Sequence, residues 1–196
     1  MADLILASAS PRRLDLLKQI GLVPDQVIAS DIDETPKSKE RPKDLARRLA
    51  DSKAAKIRQS HQDSFILSAD TVVACGQQAL DKALTRDQAQ SFLTKLSGRR
   101  HRVYGGISLI RPNGSQISRV AETMVQFKRL SDDEMAAYLS SGEWEGKAGG
   151  YAIQGLGGMF VKSIHGSYSN VVGLSLYDVA QMLNGSGFPI HSRSVS

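Results

Sequence analysis

A single cysteine, Cys75, stands among 196 residues, so the chain can form no internal disulfide and no multi-thiolate metal centre. Aromatic residues amount to 6%, too few to suggest a platform on which bases of a nucleic acid could stack. No apolar run approaches the ~20 residues needed to cross a bilayer. The opening Met1-Ala2-Asp3-Leu4-Ile5-Leu6 has neither a basic leader nor a long apolar stretch, so no secretory signal is read there. The sequence has no Gly-x-x-x-x-Gly-Lys-Ser/Thr loop and no Gly-x-Gly-x-x-Gly after a strand, the two common nucleotide-binding fingerprints. Repeats and low-complexity segments are lacking as well. The expected setting is the reducing cytoplasm, with no membrane and no nucleic acid as partner.

What is present fits a globular protein with a proper core: 41% hydrophobic and 23% charged residues. The net charge of +5 favours an anionic partner. Because the basic residues are spread along the chain, a small anion is a better match than a polymer.

Leu4-Ile5-Leu6-Ala7 reads as a short buried strand. A helix follows from Pro11, with Ser10 as its N-cap and Gly21 as its stop. Residues 23–39 read as irregular, and a second helix spans about 42–57. Residues 65–74 form a near-continuous apolar run with β-branched residues, the mark of a strand buried on both faces. Thr85-Arg86-Asp87-Gln88 and Ser131-Asp132-Asp133-Glu134 are capping boxes opening two more helices. Between them, strands at about 101–110 and 116–128 meet at a Pro112-Asn113-Gly114 hairpin. A glycine-rich stretch, 146–158, leads to a strand near 160–164, and Ser175 caps a last helix. The predicted class is α/β, a mixed sheet flanked by helices, in a single domain over 1–185. Residues 186–196 are small and polar and are expected to fray.

Three irregularities carry the chemistry. Arg12 and Arg13 sit in the first turn of a helix, where the positive end of the dipole disfavours cations. A bound anion would reconcile them with Ser8, Ser10 and the free N–H groups; a solvated basic turn is the alternative. Lys53 falls in the middle of an apolar stripe made by Leu45, Leu49, Ile57 and three alanines, so it either snorkels or faces a negative charge in a cleft. Asp70 lies inside the most apolar strand, where a carboxylate needs a cationic partner or a metal. Asp33 and Glu34 would add oxygens for a hard cation if the fold brings them close. Lys82 follows the next turn, and Gln154 in the glycine-rich run has an amide suited to a base edge. Arg12, Arg13, Lys53 and Lys82 together carry about +4, close to what a nucleoside triphosphate needs.

The segments Leu6–Arg13, Asp33-Glu34, Leu49–Ala54, Ala69–Val73, Leu96–His101, Lys147–Gly155 and Gly166–Leu174 resemble, in order, those of the Maf family of nucleotide pyrophosphatases. The resemblance implies a two-lobed, inosine-triphosphatase-like fold with the site in a central cleft. It also implies hydrolysis of the α–β phosphoanhydride with a divalent cation, Mg²⁺, Mn²⁺ or Co²⁺. On it, Asp70 is the general base, Glu34 and Asp70 hold metal, and Lys53 and Lys82 act in catalysis. Ser8, Ser10, Arg12 and Arg13 meet phosphate, and a homodimer is an expected assembly. Arg12, Thr71 and Gln154 match the branch acting on dTTP and UTP; the sister branch acts on 7-methyl-GTP. A non-catalytic nucleotide-binding regulator of division is the reading from another class. The chain departs from the family pattern at Ala83, Gly105 and Ser175.

Overall fold

The computed structural model describes residues 2–190. Its strands form one seven-stranded mixed sheet. β1 (Leu4–Ala7) lies parallel to both β2 (Gln26–Ile28) and β3 (Phe65–Cys75). β3 then pairs antiparallel with β4 (Gln78–Leu80) and with β5 (Arg100–Ile110). β6 (Gln116–Phe127) and β7 (Val161–His165) extend the sheet antiparallel beyond β5. The helices are α1 (Pro11–Gln19), α2 (Pro42–Arg58), α3 (Arg86–Leu96), α4 (Asp132–Ser140), α5 (Tyr168–Val172) and α6 (Leu176–Gly185).

Two main cores divide the long strands between them. One joins β1, α1 and α6 to the first half of β3 through Leu4, Leu6, Leu17, Leu67 and Leu183. The other joins α3, α4 and β6 to the second half of β3 through Val73, Leu93, Leu96, Phe127 and Tyr138. Each such apolar side chain taken from water contributes roughly 1.5–3 kcal/mol. The two lobes therefore share one sheet.

β5 occupies one edge of β3 from Ile66 to Ala74. On the other edge, β1 pairs with Phe65–Ser68 and β4 only with Val73–Cys75. Among the described residues no strand covers that edge across Ala69-Asp70-Thr71-Val72, and here the sheet opens into a cleft.

α2 lies very close to the sheet. A side chain added at Gly106 would stand 2.0 Å from the Ala46 carbonyl oxygen, so this position of β5 must be glycine for the alanine-lined face of α2 to seat. Ser68 Oγ donates to the Ala50 carbonyl at 2.6 Å and fixes the helix along β3.

The expected helices and long strands are all present, and both capping boxes form: Thr85 with Gln88, and Ser131 with Glu134. Two three-residue strands, β2 and β4, were not expected, because register with their neighbours rather than their own composition holds them; nor was the short α5, which Ser167 caps by accepting from the Asn170 N–H. The expectation of fraying after Gly185 is corrected as far as Ile190. Phe188 is buried and meets Phe65 edge to face at 5.2 Å, and Ile190 is buried too. Glycine and serine around Phe188 mask an anchor that closes the first core. Residues 191–196 lie outside the described part.

Candidate active site

The cleft has a volume of about 360 Å³. Its floor is the unpaired stretch of β3, where side chains alternate between the two faces of the sheet. Asp70 meets α2, and Thr71 meets α1 and the turn after α5.

On the α2 side, the buried Lys53 Nζ donates to Asp70 Oδ1 at 2.5 Å and lies 2.6 Å from Glu34 Oε1. Lys82 donates to the other oxygen of Glu34, at 3.1 Å. Acid and base thus alternate along Asp70, Lys53, Glu34 and Lys82. Burial works to raise the Glu34 carboxyl, but hydrogen bonds and charge from Lys53 and Lys82 outweigh it, and its pKa lies below the usual value. The lysine on the apolar stripe is therefore not snorkelling; it answers the carboxylate in the buried strand. Asp33 does not join them: it is exposed and accepts from the Thr35 N–H at 2.9 Å.

On the other side, β1 ends at Ala7 and the chain turns into α1. The Ser8 N–H returns to the Leu6 carbonyl at 3.1 Å, and Ser8 Oγ accepts from the Ser10 N–H at 3.1 Å. Ser10 holds the N-cap position, yet its hydroxyl makes no capping bond and the first turn has no acidic residue. The positive end of α1 is thus left for an anion.

Arg13 differs from a free phosphate ligand in that three of its five N–H donors are already bonded. Nε donates to the Gly173 carbonyl at 3.0 Å, Nη1 to Ser8 Oγ at 3.1 Å and Nη2 to Thr71 Oγ1 at 3.2 Å. Burial lowers its pKa; Asp70 and Glu34 pull it back, and Arg12 adds to the depression. Arg13 thereby ties α1, β3 and the turn after α5 around one guanidinium. Arg12, beside it, is lowered by burial alone.

The third wall is the glycine-rich loop. Ala83 N donates to the Lys147 carbonyl at 3.0 Å, Gly146 N to the Ala83 carbonyl at 2.8 Å, and Lys82 pairs with Ala148 as a lone bridge. Behind it, the buried His101 ring bonds the Tyr151 hydroxyl at 2.8 Å, and burial pushes the imidazole down to about 4. A neutral histidine so placed supports the loop that carries Gln154 to the cleft.

All ten residues expected at the site line this one cleft: Ser8, Ser10, Arg12, Arg13, Glu34, Lys53, Asp70, Thr71, Lys82 and Gln154. Sequence reasoning gave no role to Lys147 or to the Gly173 carbonyl, which also line it. Lys147 stands inside a motif quoted for its resemblance, a signal left unused. No local pattern could flag Gly173, since its partner Arg13 is 160 residues away.

Among the described residues no cluster of three or more His, Cys, Asp or Glu side chains could hold a metal. Two carboxylates do converge, on Lys53. That donor set fits a hard cation, which commonly takes one or two carboxylates and completes its shell with water and substrate phosphates.

Compared with known families, residues 3–186 match the one described as Maf-like protein. The chain belongs to the Maf family. Among curated Maf relatives, the dTTP/UTP pyrophosphatase of Paramagnetospirillum magneticum is 58% identical, over 96% of this chain and 99% of its own. That of Mesorhizobium japonicum is 54% identical, over 97% and 95%. Of solved structures, the Ham1 protein of Staphylococcus aureus overlays with a TM-score of 0.42 at 16% identity, covering 63% of this chain and 71% of its own. That likeness is too slight to argue from, and the fold class rests on the sheet itself.

Proposed function

We infer that this protein is a nucleoside triphosphate pyrophosphatase acting on dTTP and UTP, releasing the nucleoside monophosphate and pyrophosphate. The observation that carries the reading is identity above 50%, over nearly the whole of both chains, to relatives bearing that activity in their names. The cleft supports it, bringing a helix N-terminus, several cations and two carboxylates around a volume suited to a small ligand.

Asp70 acts as general base. Its Oδ1 is held by Lys53, while Oδ2 takes no hydrogen bond from the described residues and is free to accept a proton from water. Lys53 and Lys82 stabilise charge that develops on the departing pyrophosphate, with Ser8, Ser10 and the N-terminus of α1 binding phosphate oxygens. Glu34 and Asp70 would hold a divalent cation, Mg²⁺, Mn²⁺ or Co²⁺, which when bound polarises the phosphate and lowers the pKa of water. Arg12 and Gln154 have side chains uncommitted to carboxylates or backbone of the described residues and select the nucleotide. Thr71 acts on that choice through Arg13, to which it is bonded.

No helix among the described residues is long and apolar enough to cross a membrane. The cytoplasm and a homodimeric assembly stay with the proposal; fractionation and light scattering check them. The deciding experiment offers dTTP, UTP and 7-methyl-GTP with a divalent cation removed by chelator and then restored, following pyrophosphate. Pyrophosphate from dTTP and UTP, lost on chelation, is expected. Orthophosphate alone, or faster turnover of 7-methyl-GTP, would overturn the assignment. Asp70→Asn should lower kcat by roughly 10²–10⁴-fold.

A further inference from the structure

Five cations and two carboxylates line the cleft. Lys53 and Lys82 are paired with the carboxylates, and Arg13 is bonded to Gly173, Ser8 and Thr71. Arg12 and Lys147 remain, and neither has a carboxylate oxygen of the described residues within 4.0 Å.

The backbone of Lys147 is pinned next to Lys82. Its carbonyl accepts from Ala83 N at 3.0 Å, and its own N–H reaches the Trp144 carbonyl at 3.1 Å. Its side chain, by contrast, ties no two elements together. Among the described residues Nζ donates only to the Glu145 carbonyl two residues back, at 2.9 Å, which leaves two of its N–H groups. The nearby Glu143 carboxylate is already occupied by the N–H groups of Leu156 and Gly157. Burial, and then the charge of Arg12, depress the Lys147 pKa, against weaker support from Glu143 and Glu145. A partly buried ammonium set against a guanidinium is unfavourable unless an anion lies between them.

We propose that Lys147 is a phosphate-binding residue, holding the phosphate chain of the substrate from the loop wall of the cleft while Arg12 holds it from α1. The inference rests on the nucleotide-hydrolase reading above. Arg12 belongs to the first lobe and Lys147 to a loop seated on the second, so a phosphate chain held by both is fixed across the cleft. Lys147 binds substrate and product; proton transfer stays with Asp70.

The test uses inorganic pyrophosphate with magnesium as the probe, titrated calorimetrically into the full chain, beside steady-state kinetics with UTP. Lys147→Met keeps the length of the side chain and removes its charge; Lys147→Arg restores charge. Loss of one charge-assisted contact predicts a pyrophosphate Kd and a UTP KM raised roughly 10–100-fold in Lys147→Met. The kcat should fall by a much smaller factor, the melting temperature should hold, and arginine should recover most of the loss. A wild-type pyrophosphate Kd in Lys147→Met overturns the proposal, as does a loss of kcat with KM unchanged. Should the wild type bind pyrophosphate through Lys147 yet release none from dTTP or UTP, the assigned activity fails and the phosphate site stands.

Discussion

Lys53→Met is the substitution that most directly tests how the cleft is built. The side chain is buried on a helix whose Leu49, Ala50 and Ala54 are buried too, and methionine preserves most of its volume. What changes is the charge. Among the described residues Asp70, 7% exposed, loses its one side-chain hydrogen-bonding partner, and Glu34 keeps Lys82 alone. Both acids contact one ammonium, at 2.5 and 2.6 Å, so their nearest oxygens stand within about 5 Å of each other and repel once it is gone. Removing one partner from a buried pair costs about 3–5 kcal/mol, because the remaining charge is left without compensation. Against a total stability of roughly 5–15 kcal/mol, that is a large share.

Urea unfolding at pH 7 should therefore show a clearly lower midpoint with an unchanged slope. Asp70→Asn removes the other charge, and the double variant should be less destabilised than the two single losses together by about 1 kcal/mol or more. A cost below about 1 kcal/mol for Lys53→Met, or additivity within about 0.5 kcal/mol, would refute the pairing as the reason for the buried lysine.

Gly106→Ala should abolish soluble expression or sharply lower the melting temperature, because the new methyl would stand 2.0 Å from the Ala46 carbonyl in the backbone of α2. Arg48 holds the Glu40 carboxyl down to about 2, through hydrogen bonds of 2.6 and 2.8 Å. A depressed acid stabilises above its ordinary pKa of 4.5 and loses that contribution as pH falls towards 2. Melting curves between those values should thus be flatter for Glu40→Gln, and parallel curves would count against the pair. Thr71→Val removes the acceptor of Arg13 Nη2 and should cost about 1 kcal/mol in stability while altering the dTTP/UTP to 7-methyl-GTP rate ratio, with Thr71→Ser restoring both. Unchanged selectivity in Thr71→Val would separate that bond from substrate choice.

The features readable in sequence were those governed by a few neighbouring residues. Thr85 with Gln88 and Ser131 with Glu134 cap helices through contacts three residues long, and both form. Lys53 and Asp70 were readable as violations: each contradicts the apolar pattern around it, and each contradiction explains the other. Features set by distant partners were not readable. β4 is three residues long and exists because Val73–Cys75 offers it an edge. Phe188 docks on Phe65 from within a run of glycine and serine that signals looseness. Arg13 looked like a plain phosphate ligand because nothing near it in sequence announces Gly173 or Thr71.

The position of the cleft follows from how β3 is shared. β1 cannot continue beyond Ala7, because Ser8 turns the chain toward Pro11, which has no N–H to give a ladder. β4 cannot begin earlier, because the chain first reverses at Gly76, whose φ of 62° suits glycine. Between those two limits, residues 69–72 have a strand on one edge only. Alternation along the strand then sends Asp70 toward Lys53 and Thr71 toward Arg13, so four residues supply both the buried carboxylate of the cleft and the seat of the arginine. A slip of one residue would exchange the two faces and bury Thr71 beneath α2. Nine consecutive β3–β5 pairs, from Ile66 with Ile110 to Ala74 with Arg102, hold the register against that slip. The strand that holds Asp70 and Thr71 is thus fixed along its β5 edge from Ile66 to Ala74, and that pairing is what allows its opposite edge to be left open at residues 69–72.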